Sequence, residues 1–167
     1  MALQLMGKIF ISALILLSGV VTAHAQQMAD QVLVDKSEAR LYLLKDSEII
    51  TSYKVRFGTN PKGHKQQQGD GRTPEGSYIL DYKNINSAFY KSIHVSYPNA
   101  EDRKRAWKRG VDPGGDIMIH GQANGWGWFE PVMQYFNWTD GCIALRDGDM
   151  EEVWKAVRVG TPIVIRP

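Results

Sequence analysis

The sequence predicts an α+β domain that is mainly β. Three observations carry that prediction: a series of short β-rich runs, a long loop rich in Gly and Pro, and one clear amphipathic helix near the C-terminal end. The runs begin with Gln31-Val32-Leu33-Val34-Asp35, continue with Ala39 to Leu44, and reach Ile49 to Phe57. Lys36-Ser37-Glu38 and Lys45-Asp46-Ser47 separate them, so short polar turns join three consecutive strands into a β-meander. Gly58 to Gly76 holds Asn60-Pro61, Gly63, Gly69, Gly71 and Pro74 and reads as a long ordered loop. Loops of that length inside a compact domain tend to be functional.

Ser77 to Tyr82 and Lys91 to Tyr97 are further strand candidates, and Asp116-Ile117-Met118-Ile119-His120 is a short apolar strand ending in a histidine that faces a loop. Asn99 to Arg109 is polar and could be helical before Gly110, and Asp112-Pro113-Gly114-Gly115 is turn chemistry. In the clear helix, Asp149 and Glu152 make a D-x-x-E start signal. Met150, Val153, Trp154 and Val157 fall at i, i+3, i+4 and i+7, a core-facing stripe that ends before Gly160. Thr161 to Ile165 closes the chain as a strand.

The N-terminal segment reads as an address. Lys8 supplies a positive charge, Ile9 to Val21 is almost wholly apolar, and Ala23-His24-Ala25 is the small-x-small pattern accepted by a signal peptidase. The apolar run is short of the roughly 20 residues needed to span a bilayer. We therefore expect residues 1–25 to be a signal peptide and residues 26–167 to be one domain secreted to the periplasm. Lys8 is the one charged side chain of the leader, so 19 of the 20 Lys and Arg remain against 18 Asp and Glu. That balance excludes a nucleic-acid or membrane-surface partner held by bulk charge. Cys142 is the only cysteine, so an exported protein has no internal disulfide partner for it.

Thr139-Asp140-Gly141-Cys142-Ile143 follows Ile119-His120-Gly121 by about twenty residues. A thiol is a good nucleophile as the thiolate, and a nearby imidazole can produce it by taking the proton. Gly141 lets backbone N–H groups approach a tetrahedral oxyanion without a Cβ in the way. With one cysteine and scattered histidines there is no zinc spacing, and neither metal nor cofactor is expected.

At these residues the chain resembles the YkuD-type L,D-transpeptidases. Their signature is His-Gly at a strand end followed by [Ser/Thr]-x-Gly-Cys-[Ile/Val], here His120-Gly121 and Thr139 to Ile143. Phe57-Gly58-Thr59-Asn60-Pro61-Lys62-Gly63 and Gly69 to Tyr78 are similar to the loop and strand entry ahead of that core. The resemblance implies a β-rich, sandwich-like fold, Cys142 as acyl-accepting nucleophile, His120 as its base, and the carbonyl of Gly121 orienting the ring. Two positions depart from the common pattern. Asp140 stands where many members have His, and Ala144 stands where many have Arg, which is more similar to the small YafK-like branch. If the segment after Cys142 stays extended, Arg146 points the same way one pleat further on and either takes a substrate carboxylate or is merely solvated.

Gly121 and Gly141 are thus expected at the orientation and oxyanion positions, and Thr139, Asp140, Arg146, Trp126 and Trp138 as substrate contacts. Gly125-Trp126-Gly127-Trp128-Phe129 and Tyr135-Phe136-Asn137-Trp138 form either a wall of a peptide or glycan groove or a satellite core that pins the loop. His94 shares a strand face with Ser92 and Ser96 and reads as a half-exposed structural histidine. His64 reads as solvated. The expected activity is a monomeric peptidoglycan L,D-transpeptidase joining donor stem peptides to a diaminopimelate acceptor. A cell-wall peptide hydrolase, a sortase-like enzyme and a non-catalytic wall-binding module are the alternatives.

Overall fold

The structure, a computed structural model, describes residues 27–167; the expected leader lies outside them. Strands β1 (Gln31–Asp35), β2 (Arg40–Lys45) and β3 (Glu48–Lys54) form the antiparallel meander. Period-two alternation buries Val32 and Val34 of β1 and Leu41 and Leu43 of β2 in one core. The sheet continues through β4 (Gly76–Asn84), β5 (Ser92–Val95), β6 (Met118–His120), β7 (Ile143–Ala144) and β8 (Thr161–Arg166), in the order β3-β2-β1-β8-β4-β5-β6-β7. β8 is therefore last in sequence but central in space, parallel to β1 and antiparallel to β4.

The sheet is mainly β and curled rather than flat. Just past β3, Arg56 exchanges two backbone hydrogen bonds of 2.8 Å with Ala144 of β7, so the first and last strands of the order meet. The two facing halves of this one sheet supply the sandwich-like core.

Helix α1 (Ala100–Arg109) is a full ten-residue element, firmer than the polar composition alone implied. The Asn99 side chain accepts the N–H groups of Glu101 and Asp102, the Asp102 carboxylate accepts the Asn99 N–H, and Gly110 ends the helix in the left-handed region. Helix α2 (Glu130–Met133) is a single turn in the aromatic segment. Helix α3 (Asp147–Ala156) begins two residues before the D-x-x-E signal, because its first N–H is capped from another element: Asp147 donates to Glu130 Oε2 at 2.8 Å. Asp149 and Glu152 consequently lie inside the helix, and Glu152 accepts the Tyr53 hydroxyl at 2.8 Å. Met150, Val153 and Ala156 cover the core, and full burial of Met150 and Val153 stabilises by about 1.5–3 kcal/mol each. Trp154 stays at the margin with the Lys83 ammonium 4.8 Å from its ring centre.

Candidate active site

Register places the two expected catalytic residues. β6 and β7 run parallel with Ile119 opposite Ile143 and His120 opposite Ala144, which brings Cys142 level with Met118. Cys142 and His120 therefore share a face of adjacent strands, offset by one pleat, or roughly 8 Å between Cα atoms at ordinary strand spacing. Ile119 and Ile143 take the opposite face into the core.

The His120 ring is buried and oriented. Nδ1 lies 2.6 Å from the carbonyl oxygen of Gly121, a pure acceptor, so Nδ1 carries the proton and Nε2 is left as the base nitrogen. Phe89 packs on the ring at 4.2 Å between centroids and Trp138 meets it edge-on at 5.7 Å. This apolar wall pushes the imidazole pKa down to about 4, against the Gly121 hydrogen bond that raises it. Gly121 itself admits no side chain, since a Cβ would lie 2.5 Å from Asp147 Oδ1 and 2.9 Å from Tyr90 Cβ.

Cys142 Sγ accepts the Met118 N–H at 3.4 Å and donates to the Asp116 carbonyl at 3.6 Å. Its hydrogen-bond partners among the described residues are these two and not the imidazole. Burial raises the thiol pKa, and Asp140 and Asp116 add to the rise. Both shifts favour the uncharged forms, imidazole and thiol, in the resting site. The imidazole expected from the sequence to take the thiol proton is not hydrogen-bonded to the thiol at rest. Catalytic hydrogen bonds often tighten only when substrate arrives, and the proton transfer then belongs to the reaction itself.

The turn before the nucleophile is braced internally. The Thr139 hydroxyl donates to the Cys142 carbonyl at 2.8 Å and accepts the Gly141 N–H at 3.2 Å. Gly141 adopts φ +132°, and a Cβ there would stand 2.6 Å from the Arg72 carbonyl oxygen, so only glycine fits. The Gly141 N–H is thus committed to Thr139, and the expected access of backbone N–H groups past its missing Cβ falls to its neighbours. The amides of Asp140 and Cys142 are the turn's uncommitted donors among the described residues.

The thiol opens into a cleft of about 570 Å³ lined by Cys142, His120, Phe89, Trp138, Thr139 and Asp140, and by the loop residues Lys65, Gln68, Gly69 and Gly114 to Ile117. Two expected substrate contacts lie elsewhere. Arg146 is exposed and outside the cleft lining because β7 is two residues long and the chain turns into α3 at that position. Trp126 lines a separate, smaller hollow with Phe129 and Met133, sharing only Trp138 with the cleft. The aromatic segment is split between both expected roles: Trp138 packs inward, whereas Trp128 and Tyr135 are 75% and 84% exposed. The Trp138 Nε1–H is buried without a protein acceptor among the described residues.

The other two histidines among the described residues, His64 and His94, make structural contacts. His94 holds Asp81 at 2.6 Å and stacks on Tyr82 at 4.5 Å, away from the cleft. His64 is not solvated, contrary to its reading in sequence. Nδ1 accepts the Glu75 N–H at 3.0 Å, and Nε2 lies 3.1 Å from Asp102 Oδ1. Asp102 also accepts Tyr78 Oη at 3.0 Å and the Arg105 guanidinium, so the long loop is clasped to α1. Lys65 and Asp116 escaped sequence reading altogether; a lone Lys in a polar loop carries no periodic signal.

The depressed His120 pKa has a consequence for stability. Above pH 6.5 the ring is neutral folded and unfolded. Below 6.5 the unfolded chain binds a proton that the folded one refuses until about pH 4. Stability should therefore fall across that window, by about 3 kcal/mol in the limit. Urea unfolding of wild type and His120→Gln between pH 7.5 and 4 checks this, the variant losing less; parallel slopes would mean a charged ring in the fold.

Comparison with known proteins agrees with this fold. The L,D-transpeptidase catalytic domain profile, YkuD, matches residues 29–165, and the chain belongs to that family. A YafK protein of Escherichia coli K12, provisionally named an L,D-transpeptidase, is 29% identical over 112 residues, 66% of this chain and 38% of its own length. The helical cell shape determining protein Pgp2 of Campylobacter jejuni superposes with a TM-score of 0.61 at 27% identity, over 81% of this chain and 46% of that one. An L,D-transpeptidase from Mycobacterium smegmatis shares the fold with a TM-score of 0.54 at 16% identity, over 82% and 58%. The chain spans less than half the length of the first two relatives.

Proposed function

We propose that residues 26–167 form a periplasmic peptidoglycan L,D-transpeptidase working through an acyl-enzyme on Cys142. The observation that supports it most is the pairing of an oriented His120, with Nε2 free, and the chain's one thiol on the same strand face at the cleft. The Cys142 Sγ–H proton passes to His120 Nε2 as sulfur bonds to a donor stem-peptide carbonyl. The C–N bond to the departing residue breaks, and His120 returns the proton to the leaving amine. The amine of a diaminopimelate acceptor then attacks the thioester carbonyl and gives a proton to His120, the C–S bond breaks, and His120 passes that proton to the departing sulfur to restore the thiol. Water in place of that amine would make the step a hydrolysis.

Trp138, Asp140 and the Lys65 loop contact the peptide, and Thr139 holds the turn. The name of the Campylobacter jejuni relative extends the proposal to a role in cell shape. Mass spectrometry of muropeptides incubated with the purified protein tests the reading. A cross-linked dimer minus the leaving residue is expected, and its fragment masses report which bond was cut. An unchanged muropeptide profile with bound peptidoglycan would leave a wall-binding module instead.

A further inference from the structure

We infer that Lys65 is the donor-recognition cation of the cleft, reading a free carboxylate of the stem peptide. The inference rests on the stem-peptide reading of the cleft. The charged groups lining the cleft are Asp116, Asp140 and Lys65, besides the reacting pair. Asp116 and Asp140 both raise the thiol pKa, so their negative field reaches the point of attack, and Lys65 opposes it. A stem peptide carries several carboxylates. In a cleft holding only the two acids each would be repelled, and Lys65 is the one lining group that offsets this.

The position of Lys65 is built. Its side chain is 3% exposed and its Nζ is held by Asp70 Oδ1 at 2.9 Å. Asp70 is itself saturated by the N–H groups of Gln66, Gln67 and Arg72 at 2.7, 3.1 and 3.0 Å, so its charge is shared among four donors. An ammonium has three N–H bonds, and Asp70 is the one acceptor for them among the described residues, which leaves donors for a ligand. The loop that carries Lys65 is fixed in turn by the His64–Asp102 clasp to α1 and by the Gln68 N–H to Asp112 carbonyl bond of 2.8 Å. The candidate cation from the sequence does not compete: Arg146 lies outside the cleft, and position 144 is a fully buried alanine beside His120.

The test uses a soluble disaccharide-tetrapeptide donor and three derivatives, each with one free carboxylate converted to the amide. Wild type should turn over one derivative with kcat/KM lower by about 10- to 100-fold, mostly through KM. Lys65→Gln should lower the parent donor by the same factor and no longer distinguish it from that derivative, and Lys65→Arg should restore part of the preference. If Lys65→Gln fails to fold because Asp70 loses its partner, the paired change Lys65→Gln, Asp70→Asn removes both charges together. A wild-type preference retained without Lys65, no discrimination by wild type, or an equal loss for parent and amide would each overturn the inference. The last would make Lys65 a structural staple. Should wild type turn over no donor, calorimetric binding of the same four peptides to Cys142→Ala gives the same ratios as Kd, so failure of the catalytic reading stays distinct from failure of this one.

Discussion

Cys142→Ala and Cys142→Ser are expected to abolish cross-linking while leaving thermal unfolding within a few degrees of wild type. The thiol sits at the mouth of a cleft and makes two weak sulfur hydrogen bonds, so removing it deletes the reacting atom and little packing. Intact-mass measurement with a carbapenem gives a second readout. The strained lactam carbonyl should add to the wild-type chain and not to Cys142→Ala. Cross-linking that survives in Cys142→Ala would end the acyl-enzyme mechanism, and a lost unfolding transition would make the thiol structural.

His120→Gln is expected to lower kcat by about 10²- to 10⁴-fold, the usual contribution of a positioned base. Because burial raises the thiol pKa and the imidazole is not among its hydrogen-bond partners, alkylation of Cys142 at pH 7 should be slow in both proteins and rise toward alkaline pH. The two measurements together separate a base that acts during the reaction from one that stores a thiolate beforehand. A fast, His120-dependent alkylation at neutral pH would restore the stored-thiolate picture, and undiminished kcat would place the proton elsewhere.

The strands were readable because alternation is a local signal: Val32 and Val34, Leu41 and Leu43, and Ile163 and Ile165 point inward as their spacing requires. Cys142 and His120 could be picked out as candidates because each sits in a short contiguous motif, Thr139 to Ile143 and His120-Gly121. What escaped depends on partners distant in sequence. The start of α3 moved because Glu130, not a local residue, supplies the cap. His64 looked solvated because its partner Asp102 arrives on α1. Arg146 looked like a cleft residue because extension was assumed, and the brevity of β7 is decided by its pairing with Arg56 and β6. Lys65 became visible only when the loop folded back over the nucleophile.

The neutral thiol described above is also a form of storage. Peroxide and disulfide chemistry act on thiolates, and a cysteine kept protonated by an apolar wall and a carbonyl acceptor offers them little to attack. A chain with one cysteine has no resolving partner to rescue an oxidised sulfur. On the proposed acyl-enzyme reading, a cleft that withholds reactivity until a peptide enters extends the working life of the nucleophile between turnovers, exchanging a slower first proton transfer for chemical durability.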